Sequence, residues 1–217
     1  MFHSPTKSRQ EFTPTQPLAV STSVSIQASP FARTCQASHL LSRVLRHVND
    51  RDTDHELRYQ EAIQLHRTVE ALSSTVLNES RELIERASNI TAQLPLFTAM
   101  GLCYSALLNL YDLYSCVEGE DNHRVGAPDQ VEMQKIAIAG TKEVSRAVFR
   151  FSRSVRAVAE LGGLLKTSPL IANCLYQAAV NYLLYIRETY RQECMPMVLE
   201  IKDLLEVLGT RWESPSK

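Results

Sequence analysis

The sequence predicts an all-α fold: an irregular or orthogonal helical bundle of about six helices, preceded by an extended or disordered N-terminal arm. Three observations carry that expectation. Glycine is scarce, with seven in 217 residues, which suits helices better than a turn-rich sandwich. Apolar residues recur in segment after segment at the 3.6-residue spacing of one helix face. Finally, Ser-Pro and Thr-x-x-Glu signals stand where helices would start, because their side chains satisfy backbone N–H groups that have no intrahelical partner. The chain is long enough for one substantial core. It divides into an arm over 1–28, a helical domain over 29–212 and a tail over 213–217.

The arm holds ten Ser or Thr, three Pro and three charged residues within positions 1 to 29. Leu18, Val20, Thr22, Val24 and Ile26 alternate with small polar residues, a period-two pattern that suits an extended segment. A first helix opens at Ser29-Pro30, where proline occupies a position whose N–H would be unused anyway. Its apolar stripe is Ala37, Leu40, Leu41, Val44, Leu45 and Val48. Thr53 and Glu56 form a capping box for a second helix, in which Ala62, Val69, Val76, Leu83 and Ile90 recur every seven residues. So long a helix is uncommon, and Asn78 to Ser80 is the expected break.

Pro95 resets the chain, and a third, largely buried helix is expected from Leu96 to about Cys116. The acidic, Gly-containing stretch 117–127 then forms a loop and an internal hinge. A fourth helix starts at Pro128 or Asp129 and stops near Leu161 at Gly162-Gly163. Ser168-Pro169 repeats the cap signal for a fifth helix to about Tyr190, packed by Tyr176, Tyr182, Tyr185 and Tyr190. The last helix sets Val198, Ile201, Leu204, Leu205 and Leu208 against Glu200, Lys202, Asp203 and Glu206, with Gly209 as its terminator and Trp212 folding back.

Lys and Arg number 23 against 24 Asp and Glu, so the chain has no global attraction to nucleic acid or anionic membrane. Five dispersed cysteines, an odd number with no secretory signal, argue against a disulfide framework and for a reducing compartment. Cys103, Cys116 and Cys174 stand in apolar surroundings, as small core residues do. Cys35 and His39 are four apart on one helix face, yet no C-x-x-C or H-x-x-x-H pair completes a zinc set. Neither a nucleophile elbow nor a phosphate-binding glycine loop is present, so no catalytic residue and no cofactor is expected.

The informative surface lies on the fourth helix. Lys142, Arg146, Arg150, Arg153 and Arg156 fall within about 120° of arc, opposite Val144, Val148, Phe151, Val155 and Val158. Such a ridge can grip an acidic partner or a phosphate; basic stripes also serve as solvated faces or as intramolecular partners of acidic helices. Aromatics do not interleave with the arginines, which argues against direct DNA or RNA recognition. Two uncharged stretches, near 94–111 and 167–186, are long enough to span a bilayer and define the alternative of a membrane-associated helical protein. Asn173, Gln177 and Asn181 on one face make buried helices in water the better reading.

Four strings carry a family resemblance: SPFARTCQASHLLSRVLRHV at 29–48, GLCYSALLNLYDLYSC at 101–116, SPLIANCLYQAAVNYLLYIRET at 168–189 and LLEVLGTRW at 204–212. In this order they resemble the C-terminal part of the regulatory (middle homology) domain of fungal zinc-cluster transcription factors, over about residues 18 to 212. The resemblance implies an all-α regulatory domain in the nucleus. In that family this region tunes activity, small-molecule response or partner contacts for a DNA-binding domain elsewhere in the chain. It also implies a protein partner or a homo- or hetero-dimer. The family's six-cysteine zinc cluster, linker and dimerisation coil have no counterpart in this sequence, so no zinc ligand and no DNA-contact residue carries over. On this resemblance the chain is a truncated gene product, a natural regulator lacking a DNA-binding half, or a fragment whose missing helices expose a core edge; the last case predicts exposed apolar surface and self-association.

Overall fold

The computed structural model describes residues 28–50, 54–115 and 128–211. The arm up to residue 27, Thr53 of the capping box, the 117–127 hinge with Cys116, and Trp212 with the tail lie outside the described residues. Six α-helices follow in chain order: α1 Pro30–Asn49, α2 His55–Ala87, α3 Phe97–Ser115, α4 Pro128–Val158, α5 Ala172–Thr189 and α6 Met195–Thr210. Among the described residues there is no strand.

The fold is organised around α3. From Ala99 to Leu108 every residue is buried, and the helix is flanked by α1, α2, α4 and α5, while α6 leans on α5 and α4. A helix enclosed by four others has no need of a polar face, which explains its apolar composition. The stretch Ile90–Ser115 is by length and composition alone able to cross a membrane, but 78% of its most apolar window is buried inside the bundle. The second uncharged stretch is no single α-helix: Pro169–Ile171 is a short 3-10 turn, and α5 begins only at Ala172.

The elements form where local chemistry dictates. Ser29 Oγ accepts from the Ala32 N–H at 3.2 Å, with Pro30 at the first helical position. The guanidinium of Arg33 grips the Glu79 carboxylate through Nε at 3.0 and 3.1 Å, fastening the start of α1 to the far end of α2. α2 runs unbroken through Asn78 to Ser80, contrary to the expected break. Its seam continues past that point, and Ser80 itself is buried, donating to Gln93 Oε1 at 3.2 Å in the following 3-10 turn. Beyond Val158 the helix loosens into a π turn over Ala159–Gly163, where Gly162 adopts φ +83°. That left-handed conformation favours glycine. At the other end of the chain, α6 continues through the expected terminator Gly209 to Thr210. Arg211 then donates to the Thr167 carbonyl and, at 3.3 Å, to that of Leu164, binding the end of α6 to the turn before α5.

α3 and α4 approach closely at Gly140. A Cβ there would lie 2.5 Å from Cε2 of Tyr111, so the tyrosine ring occupies the space that a side chain would need. About three turns further along α4, Phe151 meets Phe97 edge-on at 5.2 Å and Tyr104 at 5.8 Å, closing the core between the two helices.

Candidate interaction surface on α4

The basic ridge stands on α4, whose opposite side, with Val144, Val148, Phe151, Val155 and Val158, is buried. The structure divides the ridge in two. Arg153 forks onto Glu200 of α6, with Nε at 2.9 Å and Nη2 at 3.2 Å from the two carboxylate oxygens. Its guanidinium also lies 4.6 Å from the Phe149 ring centre, a cation–π distance. The hydrogen bond and the charge of Glu200 raise the Arg153 pKa further above its ordinary value. Arg156 donates to the Glu200 main-chain carbonyl at 3.0 Å. These two arginines therefore fasten α6 to α4.

Lys142, Arg146 and Arg150 are exposed and enter no ion pair among the described residues. Spaced four apart, they form a row about 12 Å long on one helix face. The helix beneath is rigid, because its other side is core. Arg146 and Arg150 also bear on Tyr182 of α5, a buried phenol pushed up to about 12 by desolvation, with the two arginines pulling the other way. Arg150 and Arg81 act likewise on Tyr104, which burial raises to about 12. Ser145, buried beside the row, accepts from the Asn181 amide of α5 at 3.4 Å. This arrangement can hold an anionic group against a fixed scaffold.

A second polar cluster was not anticipated from the sequence. His47 is buried in α1, its Nδ1 2.8 Å from Glu61 Oε2 and its Nε2 2.7 Å from the Tyr114 hydroxyl. One turn back along α3, the Tyr111 hydroxyl lies 2.9 Å from His66 Nδ1, while His66 Nε2 lies 3.4 Å from Glu70. Desolvation lowers the His66 pKa against the opposing charge of Glu70, and a ring that turns an Nε2 hydrogen toward Glu70 accepts the Tyr111 hydroxyl at Nδ1. Burial raises the Tyr111 pKa, which keeps that donor protonated. These pairs pin the C-terminal end of α3 to α1 and α2. The available signal was His47 following Leu40 and Val44 at core spacing, a histidine on the buried stripe.

Cys35 and His39 are both exposed on α1, and among the described residues no group of three metal-ligating side chains forms. Cys103 and Cys174 are buried, as their apolar surroundings predicted, and burial pushes each thiol up to about 12. A shallow open groove beside α1 is lined by Leu41, Leu45, Leu102 and Leu170, with Ser38 and Ser42 at its rim. Comparison with known proteins finds no matching family model, no matching curated protein and no matching solved structure.

Proposed function

We propose that this chain is a non-enzymatic regulatory module of the transcription-regulator kind, acting in the nucleus through protein contacts. The observation that carries the reading is the split of the α4 ridge. Arg153 and Arg156 are spent on Glu200, whereas Lys142, Arg146 and Arg150 are presented outward on a helix backed by core. A fixed row of cations suits an acidic protein segment, since electrostatic complementarity steers encounter and sets register.

The resemblance to fungal zinc-cluster regulators supports the class of process. Its quoted phrases coincide with α1, α3, α5 and α6, the elements that build this bundle. On this reading the module contacts no DNA itself and holds no catalytic or cofactor group; it tunes a DNA-binding partner or a full-length relative.

The test is to fuse the full chain to a heterologous DNA-binding domain and read a reporter gene. The expected result is a change in expression that is lost in the triple variant Lys142→Glu, Arg146→Glu, Arg150→Glu, with unchanged helical circular dichroism. A reporter indifferent to both chains refutes the reading.

A further inference from the structure

We propose that the outward face of α5 is a seam for self-association, pairing antiparallel with α5 of a second copy of this chain. The helix has two apolar faces where a surface helix needs one. Its inner face, Cys174, Leu175, Ala178, Tyr182 and Ile186, is buried in the bundle. Its outer face carries Asn173, Tyr176, Val180, Leu183 and Arg187, alternating by three and four residues as the contact positions of paired helices do. Along that line Tyr176 is 62% exposed and Leu183 45%. Tyr190, 88% exposed, follows α5 in a left-handed conformation, φ 56°, beyond the end of that line.

The chemistry of the line matches itself in one direction only. A two-fold axis between Val180 and Leu183 sets each Val180 against the partner subunit's Leu183. The same axis brings Tyr176 onto the partner's Arg187, a cation–π pair. Parallel pairing would set Arg187 against its own copy, two like charges at a closing contact. The seam is short, about 27 Å for an 18-residue helix, so it makes a contact smaller than a permanent dimer and association depends on concentration. The inference is independent of the regulatory reading: a reporter can stay silent while the molar mass still doubles.

Sedimentation equilibrium of the full chain over a concentration series is the test, with the expected mass rising from 24.5 kDa toward twice that value. Leu183→Glu is expected to hold the chain at the monomer mass, whereas Leu165→Glu, an exposed leucine away from α5, changes nothing. Tyr176→Glu, placed opposite the partner's Arg187, is expected to keep the dimer. As a check that does not depend on a charged variant folding, Tyr176→Cys and Arg187→Cys chains, each with Cys35, Cys116 and Cys194 replaced by serine, are mixed and oxidised. The expected product is the mixed disulfide in preference to either symmetric one. A chain that stays monomeric throughout overturns the proposal, whether because another protein or its own residues cover the face. So does association that survives Leu183→Glu, or a Tyr176→Cys chain that cross-links to itself as readily as to the Arg187→Cys chain.

Discussion

Replacing Gly140 by alanine should destabilise the protein, although the same change in an exposed helix is stabilising. On propensity alone, alanine in a helix interior gains about 1 kcal/mol over glycine. Here the new methyl carbon would lie 2.5 Å from Cε2 and 2.6 Å from Cζ of Tyr111, and something must move. The ring is buried, and its hydroxyl is tied to His66 at 2.9 Å, so swinging it aside breaks that bond. Overpacking of this kind costs about 1–3 kcal/mol, and the lost hydrogen bond about 1 kcal/mol more. Set against the propensity gain, the net loss is about 1–3 kcal/mol. For a chain of this size each kcal/mol moves the melting temperature by about 2–4 °C. Thermal unfolding followed by circular dichroism reads the effect. The double variant Gly140→Ala, Tyr111→Leu supplies the control: once the ring is gone, alanine should cost nothing or stabilise. A Gly140→Ala chain that melts higher than the parent, or a penalty that persists without the ring, refutes the account of the α3–α4 contact.

Two other outcomes follow from the buried groups. Because burial lowers the His66 pKa in the fold, the unfolded chain takes up a proton first as pH falls through about 6.5; stability should therefore decline below that pH, and His66→Gln should flatten the decline in urea titrations at pH 7 and pH 5. Thiol labelling of the native protein should modify exposed Cys35 rapidly, whereas Cys103 and Cys174 should react only on unfolding in denaturant, a difference that peptide mass spectrometry resolves.

Much of the fold was legible because its signals are local. The Ser29 cap, the Pro128 start of α4 and the apolar run of α3 each depend on residues within a turn or two. The misreadings come from information that a linear pattern does not hold. The length of α2 suggests a break at Asn78 to Ser80, yet the helix runs through, and Ser80 turns inward to a partner beyond the helix, Gln93. Gly209 read as a terminator, but the helix carries on to Thr210. Tyr182 packs α5 as expected, while Tyr176 and Tyr190 face outward, because periodicity gives the spacing of two faces without saying which one the bundle covers. The ridge on α4 was visible from a helical wheel. Its division was not, since the acceptor Glu200 lies 47 residues from Arg153.

The placement of α3 sets how the molecule comes apart. The helices that precede it and those that follow it rest on the same apolar rod, so neither half of the chain owns an interior that it could keep alone. Pulling out any one of α1, α2, α4 or α5 wets the side chains on which the other three depend. Opening by heat or denaturant should therefore be a single concerted event across all six helices, for α6 too buries Ile201 and Leu204 and is held to α4 by Arg153 and Arg156.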